Sequence, residues 1–171
     1  MSDLHTIARA KVDAAVRKSI DALTCEVAVM KNEHAARGML RSDATLKSIR
    51  SICSAAMKAH GETIATEYRW ALNHALLASQ TWADRLISEI PTLLEPLYES
   101  SVEHIKKETA LVGKPELAAR LISDLDRERQ TVTDDATLSI RAAFSEKKRG
   151  LVRALPATIL KFLTKPFTGG G

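Results

Sequence analysis

The hydrophobic residues between positions 3 and 37 recur at steps of three and four, which is the period of an α-helix with one buried face. They fall within an arc of about 80°, a narrow stripe typical of coiled-coil contacts. Arg37 lies in the predicted last turn and Gly38 follows it, which is a common way for a helix to end. The pattern therefore predicts a first helix over 3–37. Its stripe consists of Val12, Val16, Ile20, Leu23, Val27 and Met30.

A second stripe begins after a short connection and occupies an arc of about 120°. Ser42 or Asp43 can cap this helix by accepting a free amide of its first turn. The apolar residues before and after Gly61 lie on the same face of the predicted helix. We therefore predict one helix over 43–89, although glycine in a helix costs about 0.8–1 kcal/mol against alanine. Such a helix would span about 70 Å. Its stripe consists of Leu46, Ile49, Cys53, Ala56, Met57, His60, Ile64, Ala71, Ala75, Ala78, Trp82 and Leu86.

The short connection predicts that these two helices lie antiparallel. With the turn near residue 40, the numbers of facing residues should sum to about 80. The expected pairs are Ile20 with His60, Val27 with Cys53, and Leu4 with Leu76.

Prolines and glycines divide the rest of the chain. We predict that Pro91 and Pro96 end the second helix, because proline lacks an amide proton and its ring clashes with the carbonyl four residues earlier. A third helix over 96–112 would then begin at Pro96 and stop before Gly113. Pro115 suits the first turn of a fourth helix.

The fourth helix begins with apolar residues, becomes polar between Asp124 and Thr131, and regains apolar residues before Gly150. It is either one helix with a thin contact stripe or two helices separated near 131–133, and we favour one helix. Together these patterns predict an all-α fold, an elongated bundle of four to five helices built on the antiparallel hairpin of the first two.

Positive charge is concentrated at the C-terminal end. The chain has a formal net charge of +4, yet residues 147–171 contain six Lys and Arg residues and no acid, which leaves 1–146 at −2. This divides the sequence into a helical bundle over 1–146 and a basic amphipathic segment over 147–171 with a flexible glycine-rich end. Because the larger part is close to neutral, nucleic acid is not an expected partner.

The basic segment is the most specific candidate for a contact surface. Its apolar residues recur at helical spacing beside cations, as in helices that dock on an anionic membrane or in an acidic groove of a partner. The alternatives are that it folds back on the bundle, kinked at Pro156, or contacts phosphate groups of a nucleic acid. The candidate residues are Lys147, Lys148, Arg149, Leu151, Arg153, Leu155, Ile159, Lys161, Phe162 and Leu163.

No combination of residues points to catalysis or to a metal. Cys53, His60, Glu67 and His74 are spaced by seven along one helix, so neighbours lie about 10.5 Å apart. Zinc ligands lie at about 2.0–2.3 Å from the ion, so these residues cannot share one. Nucleophile motifs and glycine-rich phosphate loops are absent. We therefore predict no catalytic residue, no cofactor and no enzymatic activity.

Two other residues stand out by their position on the second helix. His60 lies in the middle of an apolar stripe, either as a buried histidine with a local hydrogen bond or as a polar position that sets the register or responds to pH. Trp70 points away from that stripe, so it either packs on another helix of the same bundle or anchors a partner.

The expected function is that of a non-enzymatic scaffold, adaptor or assembly subunit that binds a protein partner or copies of itself as a homo-oligomer. The alternative is peripheral attachment to an anionic membrane or granule surface through the basic segment. With two cysteines, no signal-peptide pattern and no stretch of about 18–20 apolar residues, the chain is expected to be cytoplasmic, with peripheral membrane association under the alternative.

Overall fold

The computed structural model describes residues 2–154, and within them the side chains of 3–150. This part of the chain folds into four long α-helices and one short 3₁₀ turn, with no strand. The elements are α1 (Ser2–Ala36), α2 (Asp43–His74), α3 (Gln80–Val112), the 3₁₀ turn (Pro115–Leu117) and α4 (Ala118–Ala154). The predicted all-α helical bundle is thus confirmed, since the helices pack on one another around a single apolar core.

Helices that follow each other in the chain run antiparallel. The start of α1 meets the end of α2 through Lys11 and Glu67, whose Nζ and Oε2 atoms are 3.1 Å apart. The other end of the pair is joined by His34 and Thr45, with Nδ1 and Oγ1 2.8 Å apart. Both contacts agree with the predicted register, in which facing residues sum to about 80.

The helices α2 and α3 form the centre of the bundle. Each of them contacts the other three helices, whereas α1 and α4 do not contact each other anywhere in residues 2–154. The cross-section is therefore a flattened rhombus rather than a square, with α1 and α4 on opposite sides of the central pair. Each outer helix is antiparallel to one central helix and parallel to the other: α1 runs parallel to α3, and α4 runs parallel to α2.

The first helix ends as the sequence indicates. Gly38 adopts a left-handed φ of 69°, and its amide donates to the Ala35 carbonyl. The Met39 amide donates to the His34 carbonyl, so the last carbonyls of α1 are satisfied by backbone groups beyond the helix. Gly113 closes α3 in the same left-handed conformation, with φ of 79°.

The prediction of one helix over 43–89 is wrong beyond residue 74. The chain passes through Gly61 without a break, as expected, but α2 ends at His74 and the chain reverses before α3 begins at Gln80. Ala75 takes an extended conformation, and Ser79 caps α3 by accepting a hydrogen bond from the Trp82 amide. The apolar residues keep their helical spacing on both sides of this reversal, because the last turn of α2 and the first turn of α3 face the same core.

The prediction that Pro91 and Pro96 end a helix is also wrong, because α3 runs through both of them. The predicted third helix over 96–112 therefore starts too late, since α3 begins at Gln80. Both prolines lie inside α3, on its exposed face, where the carbonyls that they leave unpaired can reach water. The opposite face of α3 is buried around them. Its buried residues in this stretch are Ile90, Leu93, Leu94 and Leu97.

The fourth helix is one unbroken helix, as favoured from the sequence. It follows the Pro115–Leu117 turn and continues past residue 146 to Ala154. The apolar contact of α4 with the bundle is a thin stripe, and ion pairs flank it in the polar middle. The buried residues of this stripe are Leu125, Val132, Ala136, Ile140 and Ala143.

Candidate docking surface

The loop between α2 and α3 exposes two adjacent leucines at one end of the bundle. Leu76 is 92% exposed and Leu77 is 70% exposed, while Ala75 before them is buried. The predicted pairing of Leu76 with Leu4 is wrong, because α2 ends before it reaches Leu76. The two leucines instead project from the reversal of the chain.

Lys147 fastens this loop to α4. Its Nζ atom donates hydrogen bonds to the carbonyls of Leu72, at 2.6 Å, Asn73, at 2.9 Å, and Ala75. A cation at the C-terminal end of a helix is stabilised by carbonyls that have no partner in the helix itself. Burial lowers the pKa of Lys147. This predicted contact residue is therefore engaged within the bundle.

The next two cations remain exposed. Lys148 lines a small depression of about 190 Å³ together with Ala78 and Phe144, which places it beside the loop. Arg149 is also exposed. These four exposed residues, Leu76, Leu77, Lys148 and Arg149, lie at the same end of the bundle, which we call the tip.

The remaining candidates of the basic segment lie at or beyond the end of the described chain. Leu151 and Arg153 belong to α4, but their side chains are not among those that the structure describes. The others lie outside the described residues: Leu155, Ile159, Lys161, Phe162 and Leu163. The tip is therefore built from the described members of the segment and from two leucines that sequence reasoning missed.

A carboxylate beneath the tip joins three helices. Glu89 of α3 accepts hydrogen bonds from His5, at 2.9 Å, Arg9, at 3.2 Å, and the buried Tyr68 hydroxyl, at 2.9 Å. Burial raises the pKa of Glu89, but the hydrogen bonds outweigh this effect and the net pKa is lowered. Tyr68, enclosed beside this carboxylate, has a raised pKa. The cluster is closed from solvent on the Tyr68 side, so it ties α1, α2 and α3 together rather than offering a reactive group.

His60 lies at the centre of the bundle with no exposed surface. Neither ring nitrogen has a hydrogen-bond partner among the described residues. Burial lowers its pKa, and a weak interaction with the Leu93 backbone opposes this only in part. His60 is thus a buried polar group in an apolar core, which disfavours its charged form.

Trp70 is half-buried and contacts α1. The Nζ atom of Lys11 lies 4.3 Å from the centroid of the Trp70 ring, and the His74 ring stacks on it at 4.8 Å. A cation over the face of an indole is a favourable contact. The tryptophan is therefore covered on these sides by its own chain.

Shallow grooves follow the exposed side of the α2 and α4 pair. Two of them have volumes of about 400 Å³ and 430 Å³. In the first, Arg50 pairs with Asp124 at 3.4 Å and Lys58 with Glu128 at 3.1 Å, so opposite charges meet across the groove. Within residues 2–154, no group of three His, Cys, Asp or Glu side chains is placed to hold a metal ion. No helix in the same range is both long and apolar enough to cross a bilayer.

Comparison with known proteins gives no family assignment. No protein-family model, curated protein or solved structure matches the chain.

Proposed function

We propose that this protein is a non-enzymatic helical adaptor that attaches, through the tip of its bundle, to a partner surface that is anionic and accepts apolar side chains. The observation that carries the proposal is the exposure of Leu76 and Leu77 on adjacent positions of one loop. Burial of an exposed leucine side chain would contribute a favourable free energy of about 1.5–3 kcal/mol. Two of them side by side, next to exposed cations, form a surface that gains free energy when it is covered.

The tip is also held in place before any partner arrives. Ser79 caps the helix that follows the loop, and Lys147 binds the carbonyls of the helix that precedes it. A loop that is fixed at both ends loses little conformational entropy on binding. This preorganisation supports a docking role for Leu76 and Leu77.

Other surfaces of the described chain support docking less well. The groove between α2 and α4 is spanned by the Arg50–Asp124 and Lys58–Glu128 pairs, which already satisfy each other's charge. The exposed leucine of α4, Leu138, has no exposed leucine next to it in the chain. Scattered single apolar residues are normal on protein surfaces.

Diffusion of a fluorescent fusion of the full chain in host cells tests the proposal whatever the chemical nature of the partner. The wild-type chain should diffuse more slowly than a free monomer of its size, and the double variant Leu76→Ser, Leu77→Ser should diffuse as a free monomer. Leu138→Ser is the matched control and should behave as wild type, since Leu138 is 63% exposed but lies away from the tip. Equal diffusion of the wild-type chain and the tip variant would overturn the proposal.

Sedimentation velocity of the purified chain separates adaptor function from self-assembly. We expect a monomer, because the apolar stripes of the four helices are covered within the bundle. A stable homo-oligomer that dissociates on substitution of Leu76 and Leu77 would mean that the tip meets a second copy, and the adaptor proposal would be replaced by self-assembly.

A further inference from the structure

We infer that the surface recognised by the tip is an anionic lipid bilayer, into which Leu76 and Leu77 insert while Lys148 and Arg149 contact headgroups. This inference rests on the proposed docking function and names its partner. The juxtaposition that carries it is an exposed leucine pair and an exposed pair of cations at the same end of the bundle.

The shape of the tip favours lipid over protein. Leu76 and Leu77 project from a loop, so the apolar surface is convex. The depression beside it is about 190 Å³ and is lined by Lys147, Lys148 and Gln80 as well as by Ala78 and Phe144. A protein partner gains most from anchors in closely fitting pockets that are ringed by further contacts. A bilayer closes around a projecting side chain without any matching shape.

The charge distribution favours an anionic surface. From Lys147 to the last described residue, Ala154, α4 carries four cations and no acid. Lys147 is engaged by carbonyls, whereas Lys148 and Arg149 are exposed. Of the acids near this end, Asp84 accepts a hydrogen bond from Gln80, and Asp3 and Glu146 are exposed. Stable attachment to a membrane takes two signals, such as insertion of apolar groups and a basic patch, and the tip combines both.

The charge distribution also determines how the bundle is oriented on the membrane. Residues 1–146 carry a net charge of −2, so an anionic surface attracts the tip and not the length of the bundle. The tip lies at the end of helices that are 32 to 37 residues long, which is about 50 Å. The protein should therefore stand end-on, with the helix axes close to the membrane normal.

Vesicle flotation of the full-length chain tests the inference. The probes are phosphatidylcholine vesicles with and without phosphatidylserine. The wild-type chain should float only with the anionic vesicles. Leu76→Ser with Leu77→Ser should weaken binding roughly 100-fold, because two leucines no longer leave water. Lys148→Gln with Arg149→Gln should weaken it roughly 10-fold, and this loss should be smaller at high salt, where charges are screened.

Two controls match these variants. Leu138→Ser removes an exposed leucine away from the tip, and Lys47→Gln with Arg120→Gln removes two exposed cations near the opposite end of the bundle, at the starts of α2 and α4. Both should bind as wild type. Far-ultraviolet circular dichroism and thermal unfolding should show that every variant is folded.

An environment-sensitive dye locates the inserted part. In a Cys25→Ser background, a dye on Leu77→Cys should brighten and shift to the blue with anionic vesicles, whereas a dye on Leu138→Cys should not change. Undiminished flotation of the Leu76 and Leu77 variant, or no response at position 77, would overturn the inference. If wild type does not bind the anionic vesicles but the tip variant still diffuses faster in cells, the docking function stands and its partner is a protein instead.

Discussion

Gly61 and Val132 meet where α2 and α4 approach each other, and there is no room between them for another carbon atom. A β-carbon placed on Gly61 would lie 2.1 Å from Cγ1 of Val132. Valine is β-branched and its χ1 is largely fixed in a helix, so it cannot turn aside freely. The glycine in the middle of α2 thus serves the close packing of two helices.

Replacement of Gly61 by alanine should destabilise the fold. Alanine in a helix is normally favoured over glycine by about 0.8–1 kcal/mol, but overpacking costs about 1–3 kcal/mol. We expect the free energy of unfolding to fall by up to about 2 kcal/mol, measured by chemical denaturation. Gly150→Ala is the control, since nothing lies within 4 Å of a β-carbon there, and it should not destabilise.

The Gly61 effect should depend on Val132. In a Val132→Ala background, Gly61→Ala should cost less than it does in wild type, with a coupling of about 0.5–3 kcal/mol between the two sites. Strictly additive effects of the two substitutions would contradict the close contact.

His60 should make the bundle less stable in acid. Its pKa is lowered in the folded state, so below the unfolded pKa of about 6.5 the unfolded chain binds more protons than the folded chain. Stability is therefore lost as pH falls through this value. His60→Leu should remove this component and raise the free energy of unfolding by about 1 kcal/mol or more near pH 7, because an unpaired buried polar group is removed.

The comparison of wild type and His60→Leu at several pH values isolates this residue from other titrating groups. The difference in stability should grow as pH falls from about 8 to about 5. A difference that is constant with pH would show that His60 does not titrate with unfolding.

Loss of the Glu89 carboxylate should loosen the contact between α1, α2 and α3. Since the pKa of Glu89 is lowered on folding, its contribution is present above the unfolded pKa of about 4.3 and is lost as pH falls through the lower folded value. Glu89→Gln should cost about 1–3 kcal/mol at neutral pH, measured by urea unfolding. Glu103→Gln, whose exposed side chain pairs with Lys107 on the same helix, should cost much less.

Lys147 should protect the end of α2. In Lys147→Met, the carbonyls of Leu72 and Asn73 lose a charged donor, and hydrogen exchange should become faster around residues 72–79. We expect a loss of about 1–2 kcal/mol in stability. Lys148→Met, an exposed neighbour on the same helix, should leave exchange in this region unchanged.

The two cysteines should differ in reactivity. Cys25 is exposed, whereas Cys53 is fully buried, and burial raises the pKa of its thiol to about 11. Because the thiolate is the reactive form, a thiol reagent should modify one cysteine in the native protein and two after denaturation. Rapid modification of Cys53 in the native state would mean that α2 and α3 separate readily.

The sequence was sufficient for the fold class, for both ends of α1 and for the close of α3. It also identified Cys53 as a buried residue on the apolar stripe. These features depend on periodicity and on glycine conformations, which are local properties. The failure at residues 75–79 has a physical cause. Periodicity reports which side of a segment is buried, and that side is the same for a continuous helix and for two helices that turn back on one core.

The two leucines of the tip were missed because the second helix was predicted to continue through them. Leu76 and Leu77 lie off the predicted stripe, and Ser79 is a good cap three residues before Trp82, so these residues carry a signal for a break that the prediction did not use. The predicted break falls at Pro91 and Pro96 instead, because proline is in general a strong helix breaker. Their tolerance in α3 depends on tertiary burial of the opposite face, which no local pattern contains. The contact between Lys147 and the end of α2 joins residues 75 positions apart and could not be read from sequence.

The separation of α1 from α4 has a consequence for cooperativity. Since these helices share no contact within residues 2–154, a disturbance in one reaches the other only by way of α2 and α3. Each outer helix can therefore detach as a partial unfolding unit while the remaining three helices stay assembled. Of the two, α4 carries the cations of the tip, so a ligand held there would slow the opening of that unit and leave the exchange of α1 almost unaffected.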